Sequence, residues 1–150
     1  MCRLPVFLLV LAIAGIMGGC SVESTPKPRL TPMHRKIATG EVQVPAGQAI
    51  DYRIDIQPEM LEPTLKGSFI ASGGTGNDIR AAIADEVNYI NWINGHEAQV
   101  FWHTEGQQTA GNFELVLKPG TYYLAVSNKF SAISDKRVAL EVDLNYQHKE

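Results

Sequence analysis

The feature that most constrains this chain is an alternation of apolar and polar residues with period two. In AIDYRIDIQ, Ile50, Tyr52, Ile54 and Ile56 share one side, with Asp51, Arg53 and Asp55 on the other. The same rhythm runs through Phe113, Leu115 and Leu117, and through Val138, Leu140, Val142 and Leu144. A period of two places successive side chains on opposite faces of a strand, so each run describes a sheet with one buried and one solvated face. Turn signals separate the runs: PAGQ at 45–48, SGGTGN at 72–77, NG at 94–95 and KPG at 118–120. This punctuation predicts about eight strands, at 37–44, 49–57, 64–71, 78–85, 98–104, 110–117, 121–127 and 136–146. No segment reads as a convincing amphipathic helix. Short, regularly spaced strands with one polar face predict an all-β, antiparallel sandwich.

The first 36 residues follow different rules. Leu4 to Met17 is an uninterrupted apolar run behind Arg3. It is shorter than the roughly 20 residues a membrane-spanning helix needs, and it suits the core of a secretory signal peptide. Gly18, Gly19 and Cys20 follow it. The segment resembles the lipobox of bacterial lipoproteins, with Met17 where that pattern usually has Leu. The resemblance implies removal of residues 1–19 and diacylation of Cys20, with palmitate-type chains holding the protein on a membrane. The chain has only Cys2 and Cys20, so a chain processed in this way retains one cysteine and no internal disulfide. In hosts that sort lipoproteins by the next residue, Ser21 implies the outer membrane. Residues 20–36 combine the lipidated end with three prolines and a basic cluster around His34, and read as a flexible tether. The expected folded domain is then 37–150.

Charge argues against a nucleic-acid partner. Of the thirteen Lys and Arg only Arg3 lies in the leader, so twelve face sixteen Asp and Glu in the processed chain, a mildly acidic balance.

With the strands placed, PGTYYLAVSNKFSAISDKRVALEVDL resembles the closing strands of the Golgi-dynamics (GOLD) domain, a lumenal β-sandwich of eukaryotic cargo-sorting proteins. The matching positions are Gly120, Tyr122, Leu124, Val126, Ser127, Asn128, Phe130, Ser131, Lys136 and Val138. GSF at 67–69, NDI with AIAD at 77–85, and GNFELVLKPG at 111–120 keep the family's order upstream. The resemblance implies a sandwich and a habit of binding proteins. It does not extend to the family's disulfide, one cysteine of which falls at Ala125, nor to coat recruitment. By alternation Tyr122, Leu124 and Val126 point inward. Asn128 stands at a strand end and bonds nearby backbone. Phe130 and Ile133 tack the following crossing to the core, a crossing that otherwise reads as a peptide-binding surface.

The motifs of catalysis and metal binding are missing. There is no phosphate-binding GxxxxGK[ST], no G-x-S-x-G elbow and no calcium loop around Asp78. His96 and His103 have no third ligand at a diagnostic spacing, and His103 reads as a strand-surface residue. The sequence therefore predicts a non-catalytic protein with no cofactor and no metal. Its best contact surface is NYINWINGH, residues 88–96. Asn88, Asn91 and Asn94 are spaced for local backbone bonds, and Asn-Gly signals a chain reversal. Ile90 and Ile93 suit one or two helical turns with an apolar side toward the core, leaving Tyr89, Trp92 and His96 at the rim. The expected partner is an envelope protein. The alternative is a glycan or peptidoglycan stacked on Tyr89, Trp92, Trp102 and Tyr123, although Trp102 reads more readily as core.

Overall fold

A computed structural model describes residues 28–149 of the chain. It is an antiparallel β-sandwich. The first sheet contains β1 (Leu30–Val44), β8 (Lys136–Lys149), β3 (Met60–Ser72) and β6 (Ala110–Val116), in that spatial order. The second contains β2 (Ala49–Ile56), β7 (Gly120–Ser127), β4 (Arg80–Asp85) and β5 (Trp102–His103). One helix, α1 (Glu86–Ile93), joins β4 to the segment before β5. Ile54, Ile56, Phe113, Leu117, Val138, Leu140, Val142 and Leu144 meet between the sheets as the alternation requires. Tyr122, Leu124 and Val126 join them from β7. Among aliphatic and aromatic residues this burial is the main source of stability.

Two aromatic rings fill places that glycines leave open. Gly67 of β3 lies opposite Phe113 of β6, and Gly111 of β6 lies opposite Phe69 of β3. A Cβ on either glycine falls 2.5 Å from the facing ring. Trp102 packs on both rings, 5.0 Å from Phe113 and 6.4 Å from Phe69 between centroids. Trp102 is thus packed against the core, and His103, its neighbour on the strand, is exposed.

The structure departs from the sequence reading at four places. Strand β1 begins at Leu30, so residues 30–36 belong to a sheet and not to the tether; Leu30 pairs with Lys149 and Lys36 with Asp143. The reason is that β1 is an edge strand, where a proline such as Pro32 is tolerated. The basic residues meet acids on β8: Lys36 Nζ lies 3.1 Å from Glu141 and 3.0 Å from Asp143, and His34 Nε2 lies 2.9 Å from Asp143. Second, strand 98–104 shrinks to the two residues of β5. Third, a helix of eight residues, about two turns, occupies 86–93, although no segment reads as a convincing amphipathic helix. Fourth, Ile133 does not tack the crossing to the core; it is 92% exposed, and only Phe130 is half-buried. Cys20 and the signal segment lie outside the described residues.

Asn128 and Lys136 fasten the crossing between β7 and β8. Asn128 is fully buried, and its Nδ2 donates to Val44 O at 3.1 Å and Ser134 O at 2.8 Å. Its backbone N–H donates to Gln48 O, and its carbonyl accepts from Gly47 and Ser131. Lys136, 2% exposed, places Nζ 2.8 Å from Asp78 Oδ1. Asp78 is therefore occupied by a side chain of the same domain.

Candidate functional site

Helix α1 forms because both of its ends are capped. Asp85 is the N-cap, and its Oδ1 accepts from the backbone N–H of Asn88 at 2.9 Å. Asn88 also gives its Nδ2 to Asp85 and accepts from Gln99 N, tying the helix to the segment before β5. At the other end Asn94 is the C-cap and Gly95 has φ +76°. Gly95 N donates to Trp92 O and His96 N to Asn91 O, the bond pair of a Schellman motif with Gly in the left-handed position. Asn-Gly is thus a helix stop and not a hairpin turn. Of the three asparagines, Asn88 and Asn94 make local side-chain bonds, the latter to Ile90 O; Asn91 acts through its carbonyl.

The helix lies on the outer face of the second sheet. Cross-strand register pairs Ala82 with Ala125, Ala84 with Tyr123, and Arg80 with Ser127, each pair sharing that face. The three alanines are at most 2% exposed yet stand apart from the core cluster, because they are covered from outside by α1. Small side chains let a helix sit close to a sheet. The helix presents Tyr89, Trp92 and Ile93 in half-buried positions and leaves Val87 and Ile90 exposed. Ile90 therefore does not face the core, contrary to the spacing argument: the alanine seat is too shallow to take a branched side chain from every turn.

Tyr89 stacks on Tyr123 with centroids 4.6 Å apart, and its hydroxyl donates to Asp51 at 2.9 Å. Burial first, and then the bond to Asp51, pushes the Tyr89 phenol up to about 12. Tyr89 is accordingly a clamp that holds α1 to β2 and β7. Trp92 and His96 border a cleft of about 270 Å³ together with Arg80, Ser127 and Lys129. Lys129 Nζ donates to Ile93 O at 2.6 Å, closing the helix C-terminus. Arg80 lies over the Phe130 ring, 5.9 Å from its centroid.

Of the three residues expected at the rim, Trp92 and His96 therefore line one concavity, whereas Tyr89 is used in anchoring. Sequence reasoning missed Arg80, Ser127 and Lys129. The alternation assigns Arg80 to the polar side of its strand, but only the register opposite Ser127 brings it to the helix end.

A larger concavity, about 460 Å³, lies on the outer face of the first sheet beside Lys66, Ser68, Glu114, Glu141 and Asp143. Its acids already have partners. Glu141 accepts from Thr39 Oγ1 and from Lys36 Nζ, which hold its carboxyl below the usual range; Lys36, followed by His34, does the same for Asp143. It reads as a cross-strand charge ladder. Among the described residues no three His, Cys, Asp or Glu side chains converge as a metal site, and no helix is long and apolar enough to cross a membrane. The chain matches no protein-family model and no curated protein.

Proposed function

We propose that this chain is a non-catalytic envelope lipoprotein, anchored through acylated Cys20, whose sandwich binds another envelope component, a protein, through the surface at the end of α1. The observation that carries this reading is directional. Strand β1 enters at Leu30 and runs 15 residues to Val44, about 50 Å at the rise of an extended strand. The cleft is at the far end of that run: Gly47 and Gln48 bond Asn128, and Ser127 pairs with both Ala49 and Arg80. A chain held at its N-terminal side carries this end away from the membrane. The resemblance to GOLD domains, which bind proteins, favours a protein over other ligands. A half-buried Trp92 beside His96 favours a glycan as the second reading, tested by peptidoglycan pull-down and its loss on Trp92→Ala.

Two measurements test the main reading. Cys20→Ser abolishes labelling by a palmitate analogue and leaves precursor or released protein; retained labelling refutes the anchor. A photo-crosslinking residue at position 92, used in the native host, captures a discrete protein, whereas the same residue at position 66 on the opposite sheet does not. Equal capture from both positions, or none from 92, refutes the contact surface.

A further inference from the structure

Arg80 and Lys129 differ from the other cations that the strands present. Lys36, Arg53, Lys66, Lys136 and Arg137 each meet a carboxylate, and Arg35 is taken up by the Asp55 carbonyl, to which its guanidinium donates. Among the described residues Arg80 and Lys129 meet none, and both border the cleft beside Trp92. Their present contacts leave donors available. A guanidinium over an aromatic face keeps its in-plane N–H groups, which match the two oxygens of a carboxylate. Lys129 uses one of three ammonium hydrogens on Ile93 O. Ser127 Oγ, in the buried floor, accepts from Lys129 N at 3.3 Å, so its own hydrogen is free to be donated. Arg80 rises from the same sheet face as that hydroxyl, directly across the strand pair.

From this arrangement we infer that the cleft binds a side-chain carboxylate from an acidic peptide segment of the protein partner. The inference rests on the reading of this end as the contact surface and names the chemistry it selects. At about 270 Å³ the cleft is smaller than the roughly 300–1,000 Å³ that enclose a whole small ligand. It accommodates one acidic side chain of a chain that continues outside. The indole of Trp92 flanks the aliphatic part of that side chain, and the cations take the head.

The test is a titration of the full chain in detergent, labelled with ¹⁵N at tryptophan, with hexaglutamate. The two indole N–H signals separate the site from the scaffold, because Trp102 is wedged against Phe69 and Phe113 in the core. Trp92 shifts saturably, Trp102 holds still, and hexalysine moves neither. Arg80→Gln and Lys129→Gln each weaken the apparent Kd about three- to fivefold, the upper scale of one exposed charge pair, and Arg80→Lys, which keeps the charge without the planar fork, recovers only part of the loss. Lys129→Gln removes no ring contact, so it decides the matter even if Arg80→Gln misfolds. A static Trp92 signal, or binding unchanged in Lys129→Gln, overturns the inference. Tighter binding of a uronic-acid oligosaccharide than of hexaglutamate overturns the peptide as its source. If position 92 still crosslinks a protein while hexaglutamate fails, the carboxylate inference falls and the contact surface stands.

Discussion

Replacing Asn128 tests the account of how the distal end is held. Its Nδ2 faces two carbonyls, Val44 O and Ser134 O, so the amide has one sensible orientation: flipped, it would set oxygen against oxygen. Truncation to Ala takes a donor from Val44 O in the interior, at a cost of up to about 1–3 kcal/mol, offset in part because the buried Oδ1, which has no partner, leaves with it. Ser134 O loses less, because it is only partly buried and also accepts from Ser131 Oγ at 2.9 Å. The expected loss is therefore about 1–3 kcal/mol. Asn128→Asp is the sharper probe. An ionised carboxylate there faces two acceptors in a site with 0% exposure, so its folded pKa rises above the unfolded value. A raised pKa means that the variant's stability is retained below about pH 4 and lost as pH climbs, by about 1.4 kcal/mol per pH unit until the folded pKa is reached. Protonated, the same group can still donate to one carbonyl. Urea unfolding of wild type, Asn128→Ala and Asn128→Asp at pH 3.5, 5 and 7 gives the comparison. Asp at least as good as Ala at pH 3.5 but worse at pH 7 is the expected crossing. A pH-independent difference, or a loss under about 0.5 kcal/mol for either variant, refutes the reasoning.

Gly67→Ala brings a Cβ to 2.5 Å from the Phe113 ring, 2.9 Å from Val142 and 3.0 Å from a backbone carbonyl, and overpacking of this kind costs about 1–3 kcal/mol; a raised urea midpoint would contradict it. Tyr89, with its phenol near 12, stabilises the fold fully below the ordinary tyrosine range near 10 and loses that contribution as pH rises toward 12. Absorbance titration at alkaline pH shows a late-ionising component, absent in Tyr89→Phe. Asp143 and Glu141 are depressed, so their contribution is present above about pH 4 and fades as pH falls below it; Lys36→Gln makes the acid limb of the melting profile shallower, and an unchanged limb counts against the ladder.

How far the sequence reaches depends on where the information lies. Alternation along one strand is local, so Ile54, Phe113, Leu124 and Val142 are identifiable as core without knowing any partner. Alternation fails for Ala82, Ala84 and Ala125, because burial on both sides of a sheet depends on a helix packed from outside. By sequence alone the two caps of that helix take other roles, Asp85 at the end of a strand and Asn-Gly in a chain reversal, and the apolar spacing misleads: Val87 and Ile90 face solvent. Residues 30–36 resemble a tether by composition and become a strand through their register with residues 143–149 of β8, a partner remote in the sequence. The cleft is the least legible feature, since Arg80 and Lys129 meet through register and not through any motif.

The alanine seat divides the molecule's vulnerability. Core side chains and helix-facing side chains project from opposite sides of β4 and β7. Changes in one add independently to changes in the other where the two positions lie more than about 7–10 Å apart without shared partners. The helix with its loop is in this sense a tile laid on a finished wall. Its solvent-facing residues, Val87 and Ile90 among them, can be changed while the sandwich beneath keeps its packing.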